Sequence, residues 1–220
     1  KLTHEMYLHS LHWVLHFHSD QYLYRIQQQS REWIQQRSVQ SEDRTIGIMG
    51  LGNIGKAIGD SLVNLDFKVI GWGARPKNST GEIEYYYGHE QLSEFLSQTD
   101  ILINILPLTE NTKNILTKNE LKLLPKGSFI INIGRGGIIN ENDLLSFLNS
   151  GHINAAALDV FAQEPLPENN SLWGHSSVYI TPHIAGQSNP GSAAKTIAEN
   201  IRLIEKGESP YPIYSLNSGY

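Results

Sequence analysis

The stretch "TIGIMGLGNIGKAIG" constrains the fold more than any other part of the chain. It sets Gly50, Gly52 and Gly55 in the spacing G-x-G-x-x-G, directly after a short β-branched run and directly before a helical pattern. Glycine supplies 19 of the 220 residues, so the spacing alone is weak and its strand-to-helix setting makes it specific. In such a turn the first glycine permits a tight reversal and the second lets backbone approach a pyrophosphate. The third lets the helix pack closely on the strand. The helix start offers N–H groups without intrahelical partners and the positive end of a dipole. Asn53 and Ile54, at that start, join the glycines as candidate dinucleotide contacts.

The rest of the chain agrees with such a fold. From Arg44 onward the apolar runs "TIGIM", "FKVIGW", "DILINIL", "SFIINI", "INAAALDV" and "SVYITP" alternate with helical segments at 54–64, 90–97, 118–123 and 141–150. Apolar strands alternating with helices predict an α/β fold, a Rossmann-type doubly wound parallel sheet covered on both faces. Residues 189–206 read as a closing helix, followed by a weakly ordered tail. Ahead of the sheet, residues 5–37 hold no glycine or proline and read as one long helix or two abutting ones, with Thr3 as N-cap. Leu8, Leu11, Val14, Leu15 and Phe17 on that helix are expected to stay exposed unless another surface covers them. The boundaries follow: a helix over 1–38, the dinucleotide-binding domain over 39–186, and a closing helix and tail over 187–220.

Composition removes several function classes. The net charge of −5 speaks against a nucleic-acid partner. No apolar run is long enough to span a bilayer, and the first residues lack the apolar core and cleavage site of a secretory leader. The absence of cysteine excludes disulfides, thiol catalysis and cysteine-ligated zinc, and fits a cytoplasmic location. His9, His12 and His16 share one helical face, but no acid or cysteine completes a metal set there, so no metal is expected.

The end of the second strand discriminates between dinucleotides. A carboxylate there would bind the ribose hydroxyls of NAD. The sequence instead reads "VIGWGARPKN", and Asp66 lies before the strand, at its wrong end. Arg75 and Lys77 stand where a 2′-phosphate would sit, and a guanidinium suits that dianion. NADP(H) is the expected cofactor, with NAD(H) as the lesser alternative.

Three further loops complete the pattern. Arg135 follows one strand in "INIGRGGIIN", Glu164 follows the next in "ALDVFAQEPLP", and His183 follows the last in "YITPHIAG". All three fall at carboxyl ends of parallel strands, the edge where such sheets bind ligands and where the glycine loop also lies. The residue types suit the reduction of a 2-keto acid. A histidine kept protonated by a carboxylate can give the carbonyl oxygen its proton, and an arginine can pair bidentately with the substrate carboxylate. His175 precedes the last strand, at the opposite end, and is expected to be structural.

The motifs "GLGNIG", "INIGRGG", "ALDVFAQEPLP" and "ITPHIAG", in this order, resemble the D-2-hydroxyacid dehydrogenases. "WGARPK" and "SLWGHSSVYITPHIAG" are most similar to the glyoxylate/hydroxypyruvate reductase branch. The resemblance implies that Arg135 binds substrate, that Glu164 and His183 form the acid/base pair, and that Asp159 contacts the nicotinamide carboxamide. It also implies that Pro107 and Thr112 lie against the cofactor, with Ile133 and Gly186 completing the contacts. Glu164, a glutamine in the formate dehydrogenases of this superfamily, argues against formate. The family's substrate lobe precedes the segment matching "LTHEMYLHSLHWVLHF", so most of that lobe is expected to be missing. The long N-terminal helix then corresponds to the element crossing between lobes and building a homodimer interface. The chain without the lobe is expected to bind cofactor and reduce substrate poorly. A dinucleotide-sensing, corepressor-like protein is the alternative function.

Overall fold

The computed structural model describes residues 2–76, 81–187 and 190–211. Its centre is a parallel sheet of β1 (Thr45–Met49), β2 (Lys68–Gly73), β3 (Glu84–Tyr87), β4 (Ile101–Asn104), β5 (Ser128–Asn132), β6 (Ile153–Leu158) and β7 (Val178–Ile180). The spatial order is β3-β2-β1-β4-β5-β6-β7, so the chain reverses its direction of travel across the sheet between β1 and β4. The fold is a Rossmann-type α/β sheet, as the alternation implies. The Glu84–Tyr87 strand lies outside the six sequence runs: it is short, tyrosine-rich and paired on one side only, to Ile70–Gly73.

Alternate residues of each central strand enter opposite cores. Ile46, Ile48, Ile101, Ile103, Phe129, Ile131, Ala155 and Ala157 bury on one face. Met49, Leu102, Ile130, Ala156 and Leu158 bury on the other. Burial on both faces is why these strands read as continuous apolar runs rather than as alternating ones. Helices α3 (Asn53–Val63), α4 (Leu92–Ser97), α5 (Lys118–Leu121), α6 (Glu141–Asn149) and α7 (Pro190–Glu205) fall close to the expected segments.

The N-terminal region takes the second of the two expected forms, two abutting helices, and departs from expectation in where it ends, how it starts and what it buries. It forms two helices, α1 (Leu2–His18) and α2 (Gln21–Ser30), because Asp20 takes a left-handed backbone (φ 54°), and a second such residue, Arg31 (φ 58°), closes α2 well before residue 37. Helix α1 begins at Leu2, so Thr3 lies inside its first turn rather than at its N-cap. Val14 and Phe17 are fully buried on the chain's own sheet, with the Phe17 ring stacked 4.8 Å from that of Phe129. Such burial stabilises by roughly 1.5–3 kcal/mol per side chain, so α1 is an integral layer of the domain. Leu8 and Leu15 do stay exposed, and Leu11 is half-buried.

The α1 face against the sheet is also rich in histidine. His16, Trp13 and Tyr179 form a cluster of mutually contacting rings, His18 stands edge-on to Phe67, and the Trp13 indole N–H donates to His9 Nε2 at 3.0 Å. His16 Nε2, His18 Nδ1 and Arg44 Nε are buried without a hydrogen-bond partner. No helix among the described residues is long and apolar enough to cross a membrane.

Candidate active site

The reversal between β1 and β4 opens a crevice at the carboxyl ends of the strands, and the glycine turn fills one side of it. Gly50 adopts φ 105°, a region closed to most side chains. A Cβ on Gly55 would lie 2.3 Å from the Gly50 carbonyl oxygen, so this glycine is needed by the turn itself as well as by helix packing. A Cβ on Gly52 would meet nothing within 4 Å, so backbone is all that borders the open side. Gly52 is the N-cap of α3, and Asn53 and Ile54 form its first turn. This cradle of backbone N–H groups fits a pyrophosphate.

At the end of β2, Arg75 is exposed and its carbonyl accepts the Tyr85 hydroxyl at 3.0 Å. The tyrosine crosses over Gly73, where a Cβ would lie 2.3 Å from the hydroxyl. No carboxylate follows the strand within 74–76, and Asp66 sits in the turn before it. Lys77 lies outside the described residues. Across the crevice, the Thr112 hydroxyl donates to the Pro107 carbonyl at 2.6 Å and accepts the Thr109 N–H at 2.8 Å, which closes the loop after β4. Ile133 is buried beneath the edge and Gly186 is half-buried upon it.

The three loops bearing Arg135, Glu164 and His183 meet at this edge. His183 Nδ1 lies 2.7 Å from Glu164 Oε2, and Glu164 Oε1 accepts the Phe161 N–H at 2.9 Å. The arginine loop packs backbone to backbone on the glutamate loop, because a Cβ on Gly136 would fall 1.8 Å from the Phe161 carbonyl carbon. Partial burial pushes the Glu164 carboxyl up. The hydrogen bonds from His183 and the Phe161 N–H, with the charges of His183 and Arg135, outweigh it and hold the carboxyl below the ordinary glutamate value. Arg135 is exposed, its Nη1 donating to the Gly134 carbonyl at 2.7 Å.

Asp159 is almost wholly buried, and its carboxylate faces its own neighbouring loop. It accepts the Thr181 hydroxyl and the N–H groups of Ile184 and Ala185 (both 2.8 Å), while its carbonyl accepts the His183 N–H at 2.9 Å. This clamp holds His183 in a left-handed backbone conformation, φ 55°. This loop-holding role of the carboxylate leaves no signal in the sequence. His175 lies at the other end of β7, where its Nδ1 accepts the Ser177 N–H at 3.2 Å. Among the described residues, no group of three or more His, Cys, Asp or Glu side chains is arranged to hold a metal ion.

Residues 11–185 match the family described as D-isomer specific 2-hydroxyacid dehydrogenase, NAD binding domain. The chain belongs to this family. Among D-2-hydroxyacid dehydrogenase relatives, a glyoxylate/hydroxypyruvate reductase A of Photorhabdus laumondii is 39% identical over 207 residues, spanning 94% of this chain and 66% of the relative. The chain therefore covers just under two thirds of that protein's length. A Xanthobacter autotrophicus D-isomer specific 2-hydroxyacid dehydrogenase, solved with NADPH and MES, superposes with a TM-score of 0.95 at 35% identity. That match covers 100% of this chain and 90% of the other. An NADPH-dependent glyoxylate/hydroxypyruvate reductase of Sinorhizobium meliloti, solved with NADP and sulfate, gives 0.94 at 32% identity, covering 100% and 70%.

Proposed function

We propose that this chain is the cofactor-binding and proton-transferring part of an NADP(H)-dependent reductase of a small 2-keto acid, glyoxylate or hydroxypyruvate. The observation that carries the reading is the 2.7 Å His183–Glu164 pair at the crevice edge. With Nδ1 committed to the carboxylate, His183 has Nε2 left for the substrate oxygen. From that position an imidazole N–H can donate a proton to the substrate oxygen. Arg135, exposed beside the pair, binds the substrate carboxylate through its guanidinium fork. When bound, the nicotinamide supplies the hydride that reduces the carbonyl carbon. Gly50, Gly52, Asn53, Ile54 and Gly55 hold the pyrophosphate, and Arg75, with Lys77, holds the 2′-phosphate. The NADPH and NADP reported with the Xanthobacter and Sinorhizobium relatives favour the same choice. Pro107, Thr112, Ile133, Asp159 and Gly186 complete the cofactor's surroundings.

The wider organisation belongs to the same proposal. Residues 1–38 form the interdomain and homodimer-interface helices, 39–186 the dinucleotide domain, and 187–220 the element returning toward the substrate lobe. Exposed Leu8 and Leu15 support pairing through α1. The absence of cysteine supports a cytoplasmic location. The decisive test is NADPH consumption with glyoxylate by the protein that the whole reading frame encodes. No consumption by a folded protein that binds NADPH overturns the reading.

A further inference from the structure

Two asparagines end neighbouring central strands in register. Asn104 closes β4, Asn132 closes β5, and the two are Cα partners across the ladder. Both are buried, at 0% and 2% exposure, in strands whose other residues are almost all apolar. A buried amide is costly unless each of its groups is satisfied, and these are. The Leu106 N–H donates to Asn104 Oδ1 at 3.2 Å, and Asn104 Nδ2 donates to Asn132 Oδ1 at 2.8 Å. The same oxygen accepts the Gly134 N–H at 3.3 Å, and Asn132 Nδ2 donates to the Arg135 carbonyl at 3.3 Å.

The chain of bonds has one sense only. It starts on a backbone N–H, which can only donate, and ends on a carbonyl, which can only accept, so neither amide can flip without breaking a bond at each side. Its two ends lie on different loops of the site. Leu106 begins the loop of Pro107 and Thr112, and Arg135 carries the guanidinium. The loops also touch directly: a Cβ on Gly134 would meet the Leu106 carbonyl oxygen at 2.8 Å, and one on Gly50 would meet Ile105 at 3.2 Å. The glycine turn, the loop after β4 and the arginine loop thus share one packed backbone layer, with the amide pair beneath it.

We propose that Asn104 and Asn132 are positioning residues that lock the Arg135 loop to the cofactor-side loop, so that the guanidinium is held ready for a substrate carboxylate. The proposal rests on the assignment of Arg135 as the carboxylate-binding group. Neither asparagine touches substrate; each acts through backbone. A purely structural pair would lower stability, whereas this one also couples the two loops.

Amide hydrogen exchange and oxamate titration of the NADPH-bound chain separate the two cases. In Asn132→Ala, exchange should quicken at Gly134 and also at Leu106, whose own partner Asn104 is untouched, by roughly two- to tenfold each. Asn132→Asp keeps the shape and both accepting roles but loses the donor to Arg135. It should leave Leu106 protected while weakening oxamate binding by about two- to tenfold. In an Arg135→Ala background the same Asp substitution should cost nothing further. Unchanged exchange at Leu106 in Asn132→Ala overturns the coupling. Equal losses of oxamate affinity with and without Arg135 overturn the positioning role. If Arg135→Ala itself leaves oxamate binding unaltered, the assignment of Arg135 falls, and the positioning role falls with it.

Discussion

The chain uses histidine in two opposite settings. At the carboxyl edge of the sheet, His183 is half-exposed and meets a carboxylate at 2.7 Å. Beneath α1, His16 and His18 press ring nitrogens into aromatic surroundings with no partner, and burial pushes both below the ordinary imidazole value. Arginine repeats the contrast: Arg75 is exposed at the edge, whereas Arg44 lies over the Phe129 ring with its Nε buried. The difference teaches that residue type says little about chemistry until the partner and the access are known. At the edge, the imidazole nitrogen is partnered and reachable. Under α1 it is neither.

The largest effect should come from removing the edge histidine. In the protein with its substrate lobe, His183→Ala should reduce turnover by about two to four decades while NADPH affinity changes little. His175→Ala and His12→Ala should leave turnover near the parent value. Steady-state rates decide it, and a loss in His175→Ala equal to that in His183→Ala breaks the comparison.

The arginine pair offers a sharper test of access. Arg75→Ala should weaken NADPH by about one to two decades and NADH hardly at all, since a charge-assisted contact is worth roughly 1.5–3 kcal/mol. Fluorescence titration of both cofactors reads the preference directly. A parent that binds the two equally removes Arg75 from the 2′-phosphate.

The smallest effect concerns acid. His9, His16 and His18 have folded values below 6.5, so the unfolded chain takes up protons that the folded chain refuses. Their contribution is present above pH 6.5 and fades as pH falls from there through the folded values. The groups around them bear on the sign. Burial lowers all three; at His9 the Asp159 charge opposes it by more than the His12 charge adds, His12 also lowers His16, and at His18 Arg44 lowers further while Asp20 opposes by less. Glu164, depressed from 4.5, keeps its contribution until lower pH. Helix α1 should therefore loosen before the His183–Glu164 pair on acidification. His16→Phe should delay that loosening and raise stability at pH 5 by about 1 kcal/mol, by removing an unpaired buried nitrogen. Hydrogen exchange along α1 as pH falls gives the order. Simultaneous loss of both regions contradicts the contrast.

The sheet and the edge were legible because both depend on local pattern. Apolar runs buried on two faces leave an unbroken signal, and a glycine turn between strand and helix has few other uses. The order of Arg135, Glu164 and His183 at successive strand ends already brings them to one edge, and it excludes His175 by polarity alone. What was hidden depends on contacts that a linear pattern does not carry. The burial of Val14 and Phe17 required knowing that α1 lies against β5. The break at Asp20 is a single left-handed residue, and β3 is an edge strand of four residues. Asn104 and Asn132 did leave a trace, as lone amides inside two apolar runs. Their meaning emerges only when the strands are set side by side.

The left-handed backbone of His183 has a genetic consequence. Asparagine is among the few residues that occupy this conformation readily, whereas alanine is strained there. Histidine and asparagine codons differ by a single base. On the proposed role of His183, one of the single-base steps away from proton transfer therefore suits the backbone of the loop and its Asp159 clamp. On that reading, a well-folded protein lacking the proton donor lies one nucleotide from this sequence, and a lineage that duplicated the gene could reach it without passing through an unstable intermediate.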